Sequence, residues 1–131
     1  MEDQNTVGQW ALQTFGKPNA LAILRRMVDE IVEAMELCTY ESSYTTSLFN
    51  SMKITLRDIE KEALPDDKLD VLAPSIAKEI ADAIIVAYHA GALLNADLAK
   101  EITDKMQINR ARKWKIQANG TGKHIKETPD E

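Results

Sequence analysis

Apolar residues recur at helical spacing through most of the chain. From Ala20 to about Cys38, the residues Leu21, Leu24, Val28, Ile31, Met35 and Cys38 fall on one stripe. Leu48, Met52, Leu56, Ile59 and Ala63 mark a second long helix. Tyr44-Thr45-Thr46 opens it weakly, and Leu64-Pro65-Asp66-Asp67 ends it. Pro74-Ser75 opens a third helix that runs to about Leu94. Asn95-Ala96-Asp97 permits a turn, and Leu98 to about Gln117 makes a fourth. Ahead of these, Gln9 to Phe15 reads as a short helix broken by Gly16-Lys17-Pro18-Asn19, where Asn19 can cap the first long helix. No alternating strand pattern and no internal repeat is evident. The pattern predicts an all-α fold, a four-helix bundle with a short N-terminal helical element, over residues 1–117. Residues 118–131, beginning around Asn119-Gly120-Thr121-Gly122, read as a flexible polar tail.

The third helix departs from simple amphipathicity. Ile80, Ala83, Ile84, Ala87, Gly91 and Leu94 form one stripe, while Ile85, Val86 and Leu93 occupy the other side. A helix apolar on both sides is buried in a bundle or in an oligomer. Yet Glu79 and Asp82 sit three residues apart on the Val86–Leu93 side. Carboxylates are rarely buried unless paired or bound to a metal. The first long helix carries a similar pair, Glu30 and Glu33, away from its apolar stripe. Two such helices can converge four carboxylates on one point, and hard oxygen ligands suit Mg²⁺ or Mn²⁺. Each pair also has a plainer reading. Glu-x-x-Glu is a common solvated helix face, and Glu79 lies within about a turn of Pro74-Ser75, where a helix N-terminus favours acids. His89, on the side of Asp82, ordinarily packs or hydrogen-bonds, and Cys38 within the apolar stripe reads as core.

Composition narrows the class. The 131 residues are 44 % apolar and 28 % charged, an ordinary globular balance. The net charge of −5 disfavours duplex DNA or a membrane surface as main partner. The single cysteine leaves no internal disulfide, no apolar run is long enough to span a bilayer, and the first five residues are too polar for a signal peptide. A soluble cytoplasmic protein is expected. Lys105 to Lys126 holds seven Lys or Arg residues and no acid, which suits a small anion bound locally or a solvated basic helix end. No Walker-type glycine loop, paired zinc cysteines, nucleophile elbow or Glu-x-x-His pair is present.

Three motifs in order carry a resemblance. They are Asp29-Glu30-Ile31-Val32-Glu33, then Glu79-Ile80-Ala81-Asp82, then Lys105 to Trp114 with Lys105, Asn109 and Arg112 at characteristic spacings. Together they resemble the MazG family of all-α nucleoside triphosphate pyrophosphatases, marked by Glu-Glu-x-x-Glu, Glu-x-x-Asp and Lys-x-x-x-Asn-x-x-Arg segments. Asp29 stands in place of the family's leading Glu. Trp10 with Thr14-Phe15-Gly16 looks like a phage and bacterial branch associated with dATP and dGTP. The resemblance covers roughly residues 9 to 115, and the stretch between Glu33 and Glu79 is longer than the family's usual spacing.

The resemblance implies that Glu30, Glu33, Glu79 and Asp82 hold Mg²⁺ (Mn²⁺ as a substitute). It implies that Glu30 or Glu33 orients the water attacking the α-phosphorus, and that the products are the monophosphate and pyrophosphate. Lys105, Asn109 and Arg112, which can share a helix face, would hold phosphates. Trp10, Phe15 and Trp114 could stack on a base, though most buried tryptophans simply pack. A homodimer or dimer of dimers is the family's usual state. The alternatives are a dUTP/dCTP or phosphoribosyl-ATP hydrolase of the same superfamily, and a non-catalytic helical binding module whose acidic face docks a basic partner.

Overall fold

The computed structural model describes residues 1–126 and gives five helices and one small hairpin. They are α1 (Gln4–Phe15), α2 (Ala20–Leu37), α3 (Ser43–Glu60), α4 (Asp66–Leu93), α5 (Leu98–Ala111), β1 (Lys113–Ile116) and β2 (Gly122–Ile125). The fold is all-α, as the periodicity predicts. Among the described residues no helix is long and apolar enough to cross a membrane.

Capping side chains set most helix starts. Asp3 and Thr6 form a reciprocal box. The Asp3 carboxylate accepts from the Thr6 backbone N–H at 2.9 Å, and the Thr6 hydroxyl accepts from the Asp3 N–H at 2.8 Å. That cap starts α1 five residues before the expected Gln9. Asn19 accepts from the Leu21 N–H at 2.9 Å and opens α2 as expected. Ser42 accepts from the Thr45 N–H at 3.1 Å, so Tyr44-Thr45-Thr46 does begin α3 despite its weak propensity. Asp97 caps α5 through the Lys100 N–H at 3.1 Å.

Two further boundaries differ from the sequence pattern. α4 begins at Asp66, not at Pro74, and Pro74 lies inside it. Asp66 and Asp67 occupy the first turn, where the helix dipole favours acids, and one missing N–H at Pro74 does not break a helix of 28 residues. At the other end, α5 stops at Ala111 instead of Gln117. Arg112 is extended (φ −77°, ψ 153°), and the chain turns into a hairpin.

That hairpin replaces the expected tail through Ile125. β1 and β2 pair antiparallel, with Trp114 opposite His124 and Ile116 opposite Gly122. The loop closes with Gly120 N–H on the Gln117 carbonyl at 2.9 Å and Gln117 N–H on the Thr121 carbonyl at 2.8 Å. Gly120, at φ +84°, supplies the left-handed residue that such a three-residue loop requires. Residues 127–131 of the expected tail lie outside the described residues.

The hairpin is fixed to the helices by polar groups. Arg26 Nη1 donates to the Gly122 carbonyl at 2.7 Å. Asn119 Nδ2 donates to Glu60 Oε1 at 3.1 Å, and Arg25 Nε lies 3.2 Å from the same oxygen while also pairing with Asp29. Ala22 and Val32 of α2, Met106 of α5 and Thr121 of the hairpin are buried. Much apolar surface is not: Ile85, Val86, Tyr88 and Leu93 of α4 and Leu94 at its C-cap are each more than 60 % exposed. The chain exposes 10271 Å², against roughly 6,900 Å² for a compact monomer of its mass. Cys38, expected in the core, is exposed at the end of α2.

Candidate active site

One edge of α2 carries Arg26, Glu30 and Glu33, brought together by the 3.6-residue turn. Arg26 Nη2 approaches Glu30 Oε1 at 3.8 Å. The Glu33 carboxyl is pushed above its ordinary range by partial burial first. The Glu30 charge, a hydrogen bond with Glu30 and the Glu36 charge add to the rise, while Lys53 opposes it. Two neighbouring carboxylates on one helix edge form a donor set suited to a hard cation.

Beside this edge lies an aromatic cavity of about 310 Å³. Trp10, Phe15 and Trp114 meet edge to face, with centroids 5.3 to 5.8 Å apart and planes at 71° to 88°. Trp114 Nε1 donates to the Asn109 carbonyl at 2.9 Å, which fixes the indole. The three rings line the cavity together with Arg26, Glu30 and Asn109. Thr121 and Gly122 of the hairpin close its wall, and a Cβ on Gly122 would lie 2.1 Å from Phe15 Cε1. The rings therefore pack on one another and also face open space next to a carboxylate.

Of the sequence-predicted site residues, Trp10, Phe15, Trp114, Glu30 and Asn109 converge on this cavity. Glu33 lies one turn along α2 on a second cavity. Lys105 shares a shallower groove with Asn109 and Val7. Arg112 does not share their helix face, because α5 ends before it. Arg110, a basic residue of the last turn, pairs instead with Glu2 at 3.0 Å.

The α4 acids stand apart. Glu79 lines an apolar groove with Leu24, Val28 and Ile31 of the α2 stripe and with Met27. Among the described residues no three of His, Cys, Asp and Glu gather as a metal cradle, so the single chain does not converge the four carboxylates. The start of α4 nevertheless removes one plain reading of Glu79. It lies thirteen positions after Asp66, far from the helix N-terminus. Both Glu79 and Asp82 are exposed, as is His89.

Sequence reasoning missed Arg26, Lys53 and the hairpin wall. The hairpin left one signal, the Asn119-Gly120 turn chemistry, between strands of only four residues with exposed lysines.

No model of a known protein family matches the chain, and no solved structure matches it. One curated protein does. The dATP/dGTP diphosphohydrolase of Cyanophage S-2L is 43 % identical to this chain over 47 residues. The match spans 36 % of this chain and 45 % of that protein, less than half of its length.

Proposed function

We propose that this chain is a Mg²⁺-dependent nucleoside triphosphate pyrophosphohydrolase of the MazG kind, converting dATP or dGTP to the monophosphate and pyrophosphate. The observation that carries the reading is the aromatic cavity. Three rings suited to a purine, the carboxylate of Glu30 and the amide of Asn109 line one space. The similarity to a dATP/dGTP diphosphohydrolase supports the same substrate class.

In this reading the base enters between the rings, where apolar walls and the π-faces favour a large flat group. The α-phosphate then lies at the rim, beside Glu30 and Glu33. These two residues would hold Mg²⁺, with Glu79 and Asp82 as the further ligands that the resemblance implies. When bound, Mg²⁺ offsets phosphate charge and makes a water more acidic. Glu30 or Glu33 would orient a water and take its proton as it attacks the α-phosphorus, with the bond to the bridging oxygen broken to release pyrophosphate. Arg26, held by the Gly122 carbonyl, keeps a guanidinium at the same rim for the developing negative charge. Lys105, Asn109 and Arg112 are the further phosphate-binding candidates.

A homodimer or dimer of dimers belongs to the same proposal. It is supported by the apolar face of α4 and by a surface well above that of a compact monomer of this mass. Cytoplasmic location is also proposed, from the single cysteine and the acidic composition.

A second reading, a non-catalytic helical binding module, is favoured by the exposure of Glu79 and Asp82. Thermal unfolding separates the two. The enzyme reading expects Mg²⁺ with dATP or dGTP to raise the melting temperature and dTTP to do so less. No shift with any nucleotide and Mg²⁺ would favour the binding module.

A further inference from the structure

A second cavity has about twice the volume of the aromatic one. A space of about 630 Å³ lies at the C-terminal end of α2, against the first half of α3. Its walls include Glu33, Glu36, Thr46, Phe49, Asn50 and Lys53. Among the described residues Lys53 is the one basic side chain lining it, about three-quarters buried and 3.2 Å from Glu36 Oε1. Thr46 and Asn50, both exposed, also line it and carry a hydroxyl and an amide that can donate to a ligand.

The position of this cavity gives it a role. Glu30 borders the aromatic cavity and Glu33 borders this one, and the two residues are separated by about 4.5 Å of helix rise. The aromatic cavity has the size and lining for a base and little room for three phosphates. A triphosphate attached to a base held there has to leave along the α2 edge. The next cavity on that edge is lined by polar as well as apolar side chains and includes the partly buried Lys53.

We propose that the α2–α3 cavity is the pyrophosphate subsite of the enzyme, with Lys53, Thr46 and Asn50 holding the β- and γ-phosphates. The assignment rests on the pyrophosphohydrolase reading for its place in the reaction. Lys53 exchanges its contact with Glu36 for phosphate oxygens, a stronger charge-assisted pairing with a dianionic group. The acidic lining disfavours free pyrophosphate and admits its magnesium complex, whose net charge is smaller. The first half of α3 is then the wall of the leaving-group site.

Binding of magnesium pyrophosphate to the full chain, measured by calorimetry, tests this. Lys53→Met is expected to weaken it by about 10- to 100-fold and Lys53→Arg by much less. Asn50→Ala is expected to weaken it to a smaller degree and guards against misfolding of the lysine variant. Binding of dAMP should be unchanged in all three, and pyrophosphate without Mg²⁺ should bind poorly. Unaltered magnesium pyrophosphate binding in Lys53→Met, competition between pyrophosphate and dAMP, or no binding to the wild type would each overturn the subsite. Lys53-dependent binding in a wild type that hydrolyses no triphosphate would keep the subsite and sink the pyrophosphohydrolase reading. Turnover in a Lys53→Met protein equal to wild type would do the reverse.

Discussion

Gly122 of the hairpin touches Phe15 of α1 so closely that a Cβ at position 122 would stand 2.1 Å from the ring. The contact seats the hairpin on the aromatic trio and shapes the wall of its cavity. Gly122→Ala must therefore displace Phe15 or lift β2. The expected cost is about 1–3 kcal/mol by denaturant unfolding, with a shift in the fluorescence of Trp10 and Trp114. Gly8 is the control. It lies inside α1, and a methyl group there would meet nothing within 4 Å. Gly8→Ala should stabilise by about 0.5–1 kcal/mol. Equal effects of the two alanines would contradict the contact.

Glu33 gives a pH prediction. Its folded pKa lies above the ordinary value of 4.5, so the folded chain binds this proton more tightly than the unfolded chain does. Stability from this group is present below the ordinary pKa and is lost as pH rises through the raised one. In metal-free buffer, Glu33→Gln should thus be more stable than wild type at neutral pH and show no advantage near pH 4. Adding Mg²⁺ at neutral pH should stabilise wild type and leave Glu33→Gln little changed. A glutamine variant that is less stable than wild type at neutral pH would reverse the assigned sign.

Asp82 decides whether the α4 acids join the site. Asp82 is exposed and its reversal should leave the fold intact. Asp82→Lys is expected to lower turnover by at least about a hundredfold if the carboxylate holds metal on the phosphates. Circular dichroism and melting should remain near wild type. Retained turnover would confine the metal site to α2.

The helical periods, the Asn19 cap and the pairing of Glu30 with Glu33 were legible from residue spacing alone, because each rests on local geometry. Trp10, Phe15 and Trp114 stood out only by the scarcity of aromatic residues, and their mutual edge-to-face packing beside Glu30 depends on the hairpin. The hairpin itself was hidden by its short strands and exposed lysines. The early start of α4 was hidden by Pro65 and Pro74, which read as punctuation. Pro74 is tolerated because a long helix loses one hydrogen bond there and keeps the rest. The place of Lys53 beside Glu36 is tertiary, since α2 and α3 must pack before the two meet.

The exposed face of α4 predicts self-association. Ile85, Val86 and Tyr88 lie in mid-helix and are each more than 60 % exposed in the single chain. Light scattering should give a mass of two or four chains. Val86→Glu should move the protein toward monomer, because a charge at an apolar interface is costly. A monomeric wild type at micromolar concentration would leave that face without a partner.

The central claim is attack at the α-phosphorus. The most direct test is product identity by ion-exchange chromatography after incubating the protein with each of the eight common NTPs and dNTPs, with Mg²⁺ and with EDTA. The account predicts metal-dependent monophosphate plus pyrophosphate, fastest with dATP or dGTP. Diphosphate plus orthophosphate, or no product from any nucleotide, would contradict it.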